Sequence, residues 1–338
     1  MLHKLTAVLA ALCLLPAAAL AQKAPPASYY DTNGHSDAIA GGARMITIDT
    51  PKGKFRVWTK RIGNNPRLKV LLLHGGPAVP HDYLEAMDSF LPGEGAEYYY
   101  YDQLGAGNSD RPDDNSLWTL DRFVDEVEQV RSALGLTKAN FCLFGQSWGG
   151  LLAMEYALHH QDALKCMIVS NMMASVPAYN DYAKRVIMPA MDQKLLAEVK
   201  AMEASGKTDD PRYMQILVPM HYEQHFLRMP ADQWPEPVQR AFARINGPVY
   251  SLMQGPSELG AGGILVNWDR FDDLAKITVP TLVIGARYDT MDPAYMEKMA
   301  RRLPHGEYLY CPKGSHMAMY DDQAVYFAGL LRFLRRFE

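Results

Sequence analysis

Short apolar segments alternate with segments of helical periodicity along most of the chain. Several apolar segments are continuous, which is typical of strands that are covered on both faces. The alternation predicts an α/β fold with a mainly parallel sheet, and the first two strands are expected to form an antiparallel hairpin at its edge. The predicted strands are residues 45–48, 55–59, 70–73, 98–101, 141–144, 167–169, 281–284 and 308–310, and the predicted helices are residues 120–134, 151–159, 294–303 and 324–337.

The alternation stops between about residues 171 and 276. This stretch has helical periodicity that is punctuated by prolines, among them those at positions 189, 211, 219, 230, 235 and 237, and strand–helix alternation resumes at Val279 and Pro280. We expect a helical cap at residues 171–276, inserted between two strands of one α/β core that covers residues 44–170 and 277–338.

The first 21 residues differ from the rest of the chain. Lys4 is followed by an apolar run at residues 5–15 and by small residues up to Ala21. This pattern predicts a secretory signal peptide cleaved after Ala21, and therefore a secreted or periplasmic protein. A membrane anchor is the alternative, but the run falls short of the ~20 apolar residues that a span needs. Residues 22–43 are expected to be a flexible leader.

Composition excludes several classes of protein. The 338 residues are 48% hydrophobic and 21% charged, as in ordinary soluble proteins, and the net charge of −4 does not favour nucleic-acid binding. Once the signal peptide is removed, three cysteines remain, Cys142, Cys166 and Cys311. All lie in or beside apolar strand-like segments, so buried free thiols are expected.

The strongest chemical motif is Gly145-Gln-Ser147-Trp-Gly149, which lies between a predicted strand and a predicted helix. A strand that turns sharply into a helix places the serine hydroxyl above the sheet, and glycines on either side avoid a clash. The N-terminus of the following helix also favours the negative charge that develops at this turn during the reaction. Ser147 is therefore the predicted nucleophile. A serine nucleophile also needs a base and an acid.

Two loops at the ends of later strands supply these partners. Asp289 follows the strand at 281–284, and His316 follows the strand at 308–310. The order Ser147, Asp289, His316 is the order of α/β hydrolases. We expect His316 to take the proton of Ser147 and Asp289 to orient the imidazole. Asp292 is the rival acid.

A second motif, residues 74–77 (His-Gly-Gly-Pro), ends the third predicted strand. Its glycines allow a backbone N–H to turn toward the serine, so the N–H groups of Gly76 and Trp148 are expected to form an oxyanion hole. His74 is expected to be structural, because His316 already serves as the base.

Two other patterns are not assigned a role in chemistry. His221 and His225 are four residues apart, but Glu223 does not follow the first histidine directly as a zinc-protease motif requires. The glycine-rich residues 260–263 follow no predicted strand and precede no phosphate-loop lysine. No metal and no cofactor are therefore expected.

Five ordered motifs together resemble the proline iminopeptidase family. They are HGGP at 74–77, YDQLGAGNS at 101–109, GQSWGG at 145–150, QGPSE at 254–258 and GARYD at 285–289. The resemblance implies an α/β-hydrolase fold with a helical cap and the activity of a serine peptidase or amino-acid amidase. It also implies a triad of Ser147, Asp289 and His316, and it implies that Glu258 grips the free α-amine of the substrate.

Two positions depart from the family pattern. Ala78 stands where the family's HGGPG motif ends in glycine, and Thr290 stands where some members have a second amine-binding glutamate. The absence of that glutamate puts a preference for N-terminal proline in doubt. Glu223 and Glu236 are the candidates to replace it.

These observations predict a serine aminopeptidase that removes proline or another small or apolar residue from short peptides or amino-acid amides. The first alternative is an esterase or lactonase that uses the same triad. The second is a non-catalytic binding protein on this fold. Neither a nucleic-acid partner nor stable membrane insertion after signal cleavage is expected, and the sequence does not indicate an oligomeric state.

Overall fold

A computed structural model describes residues 42–338. The predicted signal peptide and nearly all of the predicted leader lie outside the described residues. Within residues 42–338, none of the helices has the length and apolar character that a bilayer span requires.

All eight predicted strands are present, and they form one sheet in the order β1-β2-β4-β3-β5-β6-β7-β8. The predicted edge hairpin is confirmed, since β1 pairs antiparallel with β2, and β2 pairs antiparallel with β4. From β4 to β8 all neighbours are parallel. The strands are β1 (Ala43–Thr50), β2 (Gly53–Ile62), β3 (Lys69–Leu73), β4 (Glu97–Asp102), β5 (Phe141–Gln146), β6 (Cys166–Ser170), β7 (Thr281–Ala286) and β8 (Gly306–Cys311).

The helices follow the predicted order. The four predicted core helices are present as α1, α2, α8 and α10. The α-helices are α1 (Leu120–Ala133), α2 (Trp148–His160), α3 (Val176–Tyr182), α4 (Gln193–Ala204), α5 (Pro211–Leu217), α6 (Glu236–Ala243), α7 (Gly247–Met253), α8 (Pro293–Arg302), α9 (Ala318–Asp321) and α10 (Gln323–Leu334).

Apolar side chains from β3 face two separate cores, as a two-residue strand period requires. Leu71 and Leu73 pack with residues of α1, α2 and α8 on one face of the sheet. Val70 and Leu72 pack with residues of α10 on the other face. Because helices cover both faces of the sheet, every residue of β4, β5, β6 and β7 is buried.

The chain between β6 and β7 is the helical insert that carries α3 to α7. Ion pairs join it to the segment that follows β3. Arg240 contacts Glu85 at 2.5 Å, and Arg244 contacts Asp82 at 2.9 Å. Asp82 is almost fully buried, so these contacts lie at the junction of insert and core rather than on open surface.

The prediction of free thiols is wrong for two cysteines. Cys142 and Cys166 form a disulfide. They occupy paired register positions on the neighbouring strands β5 and β6, with their Cα atoms 4.6 Å apart, within the range that a disulfide spans. Cys311 is free and buried, and burial raises the pKa of its thiol.

Candidate active site

Ser147 lies at a sharp turn between β5 and α2. Its backbone has φ 54° and ψ −128°, a conformation that L-residues rarely adopt. A Cβ on Gly145 would lie 2.0 Å from the carbonyl oxygen of Gly149, and a Cβ on Gly149 would lie 2.2 Å from that of Leu73. Close backbone packing on both sides of the serine therefore explains the two glycines of the motif.

Asp289 and His316 meet in the loops that follow β7 and β8. The Nδ1–H of His316 donates to Oδ1 of Asp289 over 2.8 Å, and both side chains are buried. Since a carboxylate only accepts, this bond leaves Nε2 of His316 as the nitrogen that is able to accept a proton. Asp292, the rival acid, instead caps α8, where its carboxylate accepts from the N–H of Ala294 at 2.9 Å.

Two further side chains, Asn171 and Thr290, hold Asp289. Asn171 donates through Nδ2 to Oδ2 of Asp289 at 2.7 Å, and Thr290 Oγ1 lies 3.4 Å from Oδ1. Both are fully buried. Asn171 is a site residue that was not predicted from the sequence. Its place directly after β6 is nevertheless a signal, because the carboxyl ends of parallel strands share one edge of the sheet.

The surroundings of His316 favour its protonated form. Burial alone would lower the pKa of the imidazole, but the carboxylates of Asp289 and Glu258 oppose burial and raise the pKa above the ordinary histidine value. A histidine in this setting is a stronger base than a free one, which suits proton abstraction from an alcohol.

Gly76 has φ 115°, and it follows a glycine whose N–H is already engaged. The N–H of Gly75 donates to the hydroxyl of Tyr83 at 2.6 Å, so the neighbouring Gly76 is the candidate oxyanion donor. Ala78 has φ 65°, which explains why glycine suits this position. Ala78, where the family motif has glycine, therefore adopts a backbone conformation that is unfavourable for alanine.

Trp148, the second candidate oxyanion donor, is the first residue of α2. The first backbone N–H groups of a helix have no acceptor within the helix. Its indole Nε1–H donates to Oε1 of Gln103 at 2.8 Å. The N–H of Gln103 in turn donates to Nε2 of His74 at 3.0 Å, and His74 is fully buried. Burial lowers the pKa of His74 despite the nearby Asp102, in keeping with a neutral structural histidine.

Glu258 is buried, with 6% of its surface exposed. Its Oε1 accepts from the hydroxyl of Tyr250 at 2.6 Å. Its backbone is held by Tyr179, Tyr222 and His221. Burial raises the pKa of the Glu258 carboxyl, and the positive field of His316 and the Tyr250 hydrogen bond oppose that effect.

Two cavities meet at Ser147 and Glu258. The first is also lined by His316, Gly76 and aromatic side chains of the insert. The second is mainly apolar and lies on the Trp148 side. Among the described residues, Glu258 is the one carboxylate that lines either cavity. The space beside the serine is therefore apolar, with a single buried acid.

The two histidines of the insert contact backbone carbonyls. Nε2 of His221 lies 3.0 Å from the carbonyl oxygen of Glu258, and Nδ1 of His225 lies 2.9 Å from that of Tyr288. Burial lowers the pKa of His221 to about 3. A neutral histidine that donates to a carbonyl has a structural role here.

The candidates for a second amine-binding carboxylate are engaged elsewhere. Glu223 accepts from the N–H of Ala231 at 2.8 Å, and the exposed Glu236 pairs with Arg240 at 3.1 Å. Neither lines the two cavities. The structure thus brings Ser147, His316 and Glu258 together, and it does not bring Glu223 or Glu236 to them.

One group in residues 42–338 has ligand atoms close enough to hold a metal ion: His81, Asp82 and Glu85. Its carboxylates pair with Arg240 and Arg244, whose positive charge opposes a cation. His81 Nδ1 lies 2.8 Å from the carboxylate of Asp102. The donors are already satisfied, so this group supports no metal chemistry.

Comparisons with known proteins agree with this fold. Residues 69–323 match the family described as α/β hydrolase fold. The chain is 53% identical over 290 residues to a proline iminopeptidase of Flavobacterium johnsoniae, covering 86% of this chain and 97% of that protein. It is also 53% identical over 293 residues to a proline iminopeptidase of Elizabethkingia meningoseptica, covering 86% and 97%.

Solved structures give the same result. The structure of VinJ has a TM-score of 0.80 and 30% sequence identity, covering 87% of this chain and 99% of that one. The proline iminopeptidase of Mycobacterium smegmatis has a TM-score of 0.76 and 28% identity, covering 87% and 98%. The predicted α/β-hydrolase fold and the family resemblance are confirmed.

Proposed function

The chain belongs to the proline iminopeptidase family of α/β-hydrolase-fold enzymes, and from this premise we propose that it removes an N-terminal residue from short peptides or amino-acid amides. The released residue is proline or another small or apolar amino acid. The observation that carries the proposal is the buried carboxylate of Glu258 on the cavity that Ser147 and His316 also line. A general esterase has no need of a buried acid there.

In the proposed reaction, Ser147 Oγ attacks the carbonyl carbon of the N-terminal residue while Nε2 of His316 takes its proton. The N–H groups of Gly76 and Trp148 stabilise the negative charge on the carbonyl oxygen. His316 returns the proton to the leaving amine, and water then hydrolyses the acyl-enzyme by the same route. Asp289 holds the imidazole and stabilises its positive form.

Glu258 supplies the counter-charge for the substrate ammonium. A buried ammonium without a partner is very costly, so an enzyme that encloses a free N-terminus needs a negative group beside it. Burial raises the pKa of Glu258, and an arriving ammonium reverses that effect by stabilising the carboxylate. Thr290 provides a hydroxyl where some relatives have a second acid, so Glu258 is the one carboxylate among the described residues of the two cavities that pairs with the amine.

Glu258→Gln is expected to lower kcat/KM on free aminoacyl anilides by about 2–4 kcal/mol, roughly 30- to 800-fold. The amide keeps an oxygen for the Tyr250 hydroxyl but loses the charge that pairs with the substrate amine. Hydrolysis of a neutral ester should hardly change. The measurement is kcat/KM on free and N-acetylated anilides and on a simple ester.

Glu223→Gln is the matched control, because Glu223 lies in the same insert and bonds a backbone N–H outside the cavities. It should leave all three activities near wild type. Equal losses on amine-bearing and neutral substrates in Glu258→Gln would contradict the proposed role. The esterase alternative would then be favoured.

Activity on a neutral ester is expected to fall as pH decreases through a pKa above about 6.5. The pKa of His316 is raised, so its protonated form persists to higher pH than in a free histidine, and that form cannot accept the Ser147 proton. A pH profile of kcat/KM on the ester measures this limb. Glu258→Gln should keep a limb of this sign, and a profile that is flat down to pH 5 would exclude His316 as the base.

We also propose that the protein is exported, with the signal peptide cleaved after Ala21. The disulfide between Cys142 and Cys166 supports an oxidising compartment such as the periplasm. Mass spectrometry of the mature N-terminus tests the proposal, and a cell-retained protein that still begins at Met1 would contradict it.

A further inference from the structure

A chain of hydrogen bonds connects three loops around Ser147 and involves no group used in the proposed reaction. The Gly75 N–H donates to the hydroxyl of Tyr83 at 2.6 Å, and that hydroxyl donates to Oε1 of Gln146 at 2.8 Å. Nε2 of Gln146 donates to the carbonyl oxygen of His316 at 3.1 Å. We infer that this Tyr83–Gln146 link positions the oxyanion donor and the general base relative to the serine nucleophile.

The direction of each hydrogen bond follows from which of its two groups is able to donate and which only accepts. The carbonyl of His316 only accepts, so the amide group of Gln146 that faces it is the NH₂. Oε1 of Gln146 therefore faces Tyr83 and must receive the single hydroxyl proton. The Tyr83 oxygen is left to accept from Gly75. One tyrosine and one glutamine thus satisfy a continuous series of donors and acceptors.

The link joins the ends of three strands. Gly75 follows β3 and precedes the candidate oxyanion donor Gly76. Gln146 ends β5 and directly precedes Ser147, and His316 follows β8. These loops are neighbours in space but far apart in sequence, so their relative positions depend on contacts of this kind. A shift in any of them moves a reacting group.

Tyr83 is itself held firmly. Its side chain has 3% exposure, and its backbone carbonyl accepts from the hydroxyl of Tyr320 at 2.7 Å. Burial raises the pKa of Tyr83, so the phenol keeps its proton and its donor role. Gln146 is equally buried. A rigid, neutral link of this kind is suited to fixing geometry without changing the charge of the site.

This inference rests on the proposed Ser147 chemistry but not on the preference for amines, so it is tested with a neutral ester. Tyr83→Phe removes one hydroxyl and both of its bonds while it keeps the ring. We expect kcat to fall roughly 10- to 100-fold with KM changed by less than about threefold, since misplacement by ~1 Å costs up to ~100-fold in rate. The kcat value is expressed per active site titrated with a fluorophosphonate.

Tyr100→Phe is the control. Tyr100 is also buried, and its hydroxyl donates to Asp88 at 2.6 Å, outside the link. It should lose thermal stability without losing kcat per titrated site. If Tyr83→Phe likewise keeps kcat per site within about threefold, or raises KM alone, the positioning role is wrong.

Gln146→Met and the double variant with Tyr83→Phe extend the test. Because both residues act in one link, the loss of kcat in the double variant should be close to the larger single loss, whereas independent effects would multiply.

Gln146→Glu preserves the shape of the side chain and still accepts from Tyr83, but its carboxylate faces the His316 carbonyl. It should lose kcat even if Tyr83→Phe does not fold, and a wild-type kcat in Gln146→Glu would overturn the inference. Failure of the wild-type enzyme to react with the fluorophosphonate would instead contradict the role of Ser147.

Discussion

Ser147→Ala is expected to lower kcat by on the order of 10⁶, leaving the residual rate that an oxyanion hole and substrate binding provide. Among the described residues that line the two cavities, Ser147 is the one serine, and none is a cysteine, threonine or lysine. His316 lies beside Asp289 as a base, and Glu258 is bonded by Tyr250. The fold should persist, because alanine only removes the hydroxyl from the turn.

Purified Ser147→Ala, shown to be folded by its thermal transition, is assayed on an aminoacyl anilide and on an ester. It should also fail to react with a fluorophosphonate that labels the wild-type enzyme. Retention of more than about a tenth of the wild-type rate would show that Ser147 is not the nucleophile. Loss of the anilide activity alone would place the ester reaction at another residue.

Much of the candidate site could be predicted because strand ends locate it. Parallel strands place their carboxyl ends at one edge, so a serine after β5, an aspartate after β7 and a histidine after β8 must come close together. The sequence even contains the signal that separates the two aspartates. Asp292 precedes Pro293 at the start of a helix, which is typical of an N-cap, and Asp289 follows its strand directly.

The disulfide could not be predicted from the hydrophobic pattern of the sequence alone. Burial of Cys142 and Cys166 in strands was predictable, but pairing depends on which strands are neighbours and in what register. A signal was nevertheless present. The two residues flank a single helical crossover, and consecutive parallel strands of such units are commonly adjacent.

Tyr83 and Asn171 illustrate what the sequence conceals. Tyr83 lies in a 3-10 segment, His81–Ser89, which has neither strand alternation nor a recognisable motif, and its hydroxyl acts on residues after β3 and β5. Asn171 has φ 53°, so its side chain reaches Asp289 from an uncommon backbone conformation. Both roles arise from tertiary contacts between loops, so local sequence propensities do not predict them.

Asp289→Asn is expected to lower kcat by roughly 10⁴, the loss seen when a triad carboxylate becomes an amide. The surroundings explain why the amide has no satisfactory orientation. Both carboxylate oxygens face donors, with His316 and the Met291 N–H at Oδ1 and the Asn171 NH₂ at Oδ2. An NH₂ placed toward Asn171 would oppose another NH₂. An NH₂ placed toward His316 would force the proton onto Nε2, the nitrogen that must accept from Ser147.

Asp292→Asn provides the matched control for this substitution. Asparagine is as good a helix N-cap as aspartate, so the bond to the Ala294 N–H is retained and activity should stay near wild type. The comparison is made on kcat for a neutral ester, where Glu258 has no amine to bind. A severe loss in Asp292→Asn with a mild one in Asp289→Asn would move the acid to Asp292. Because Asp289 is fully buried and bonded to His316 whereas Asp292 lies at a helix end, the opposite result is expected.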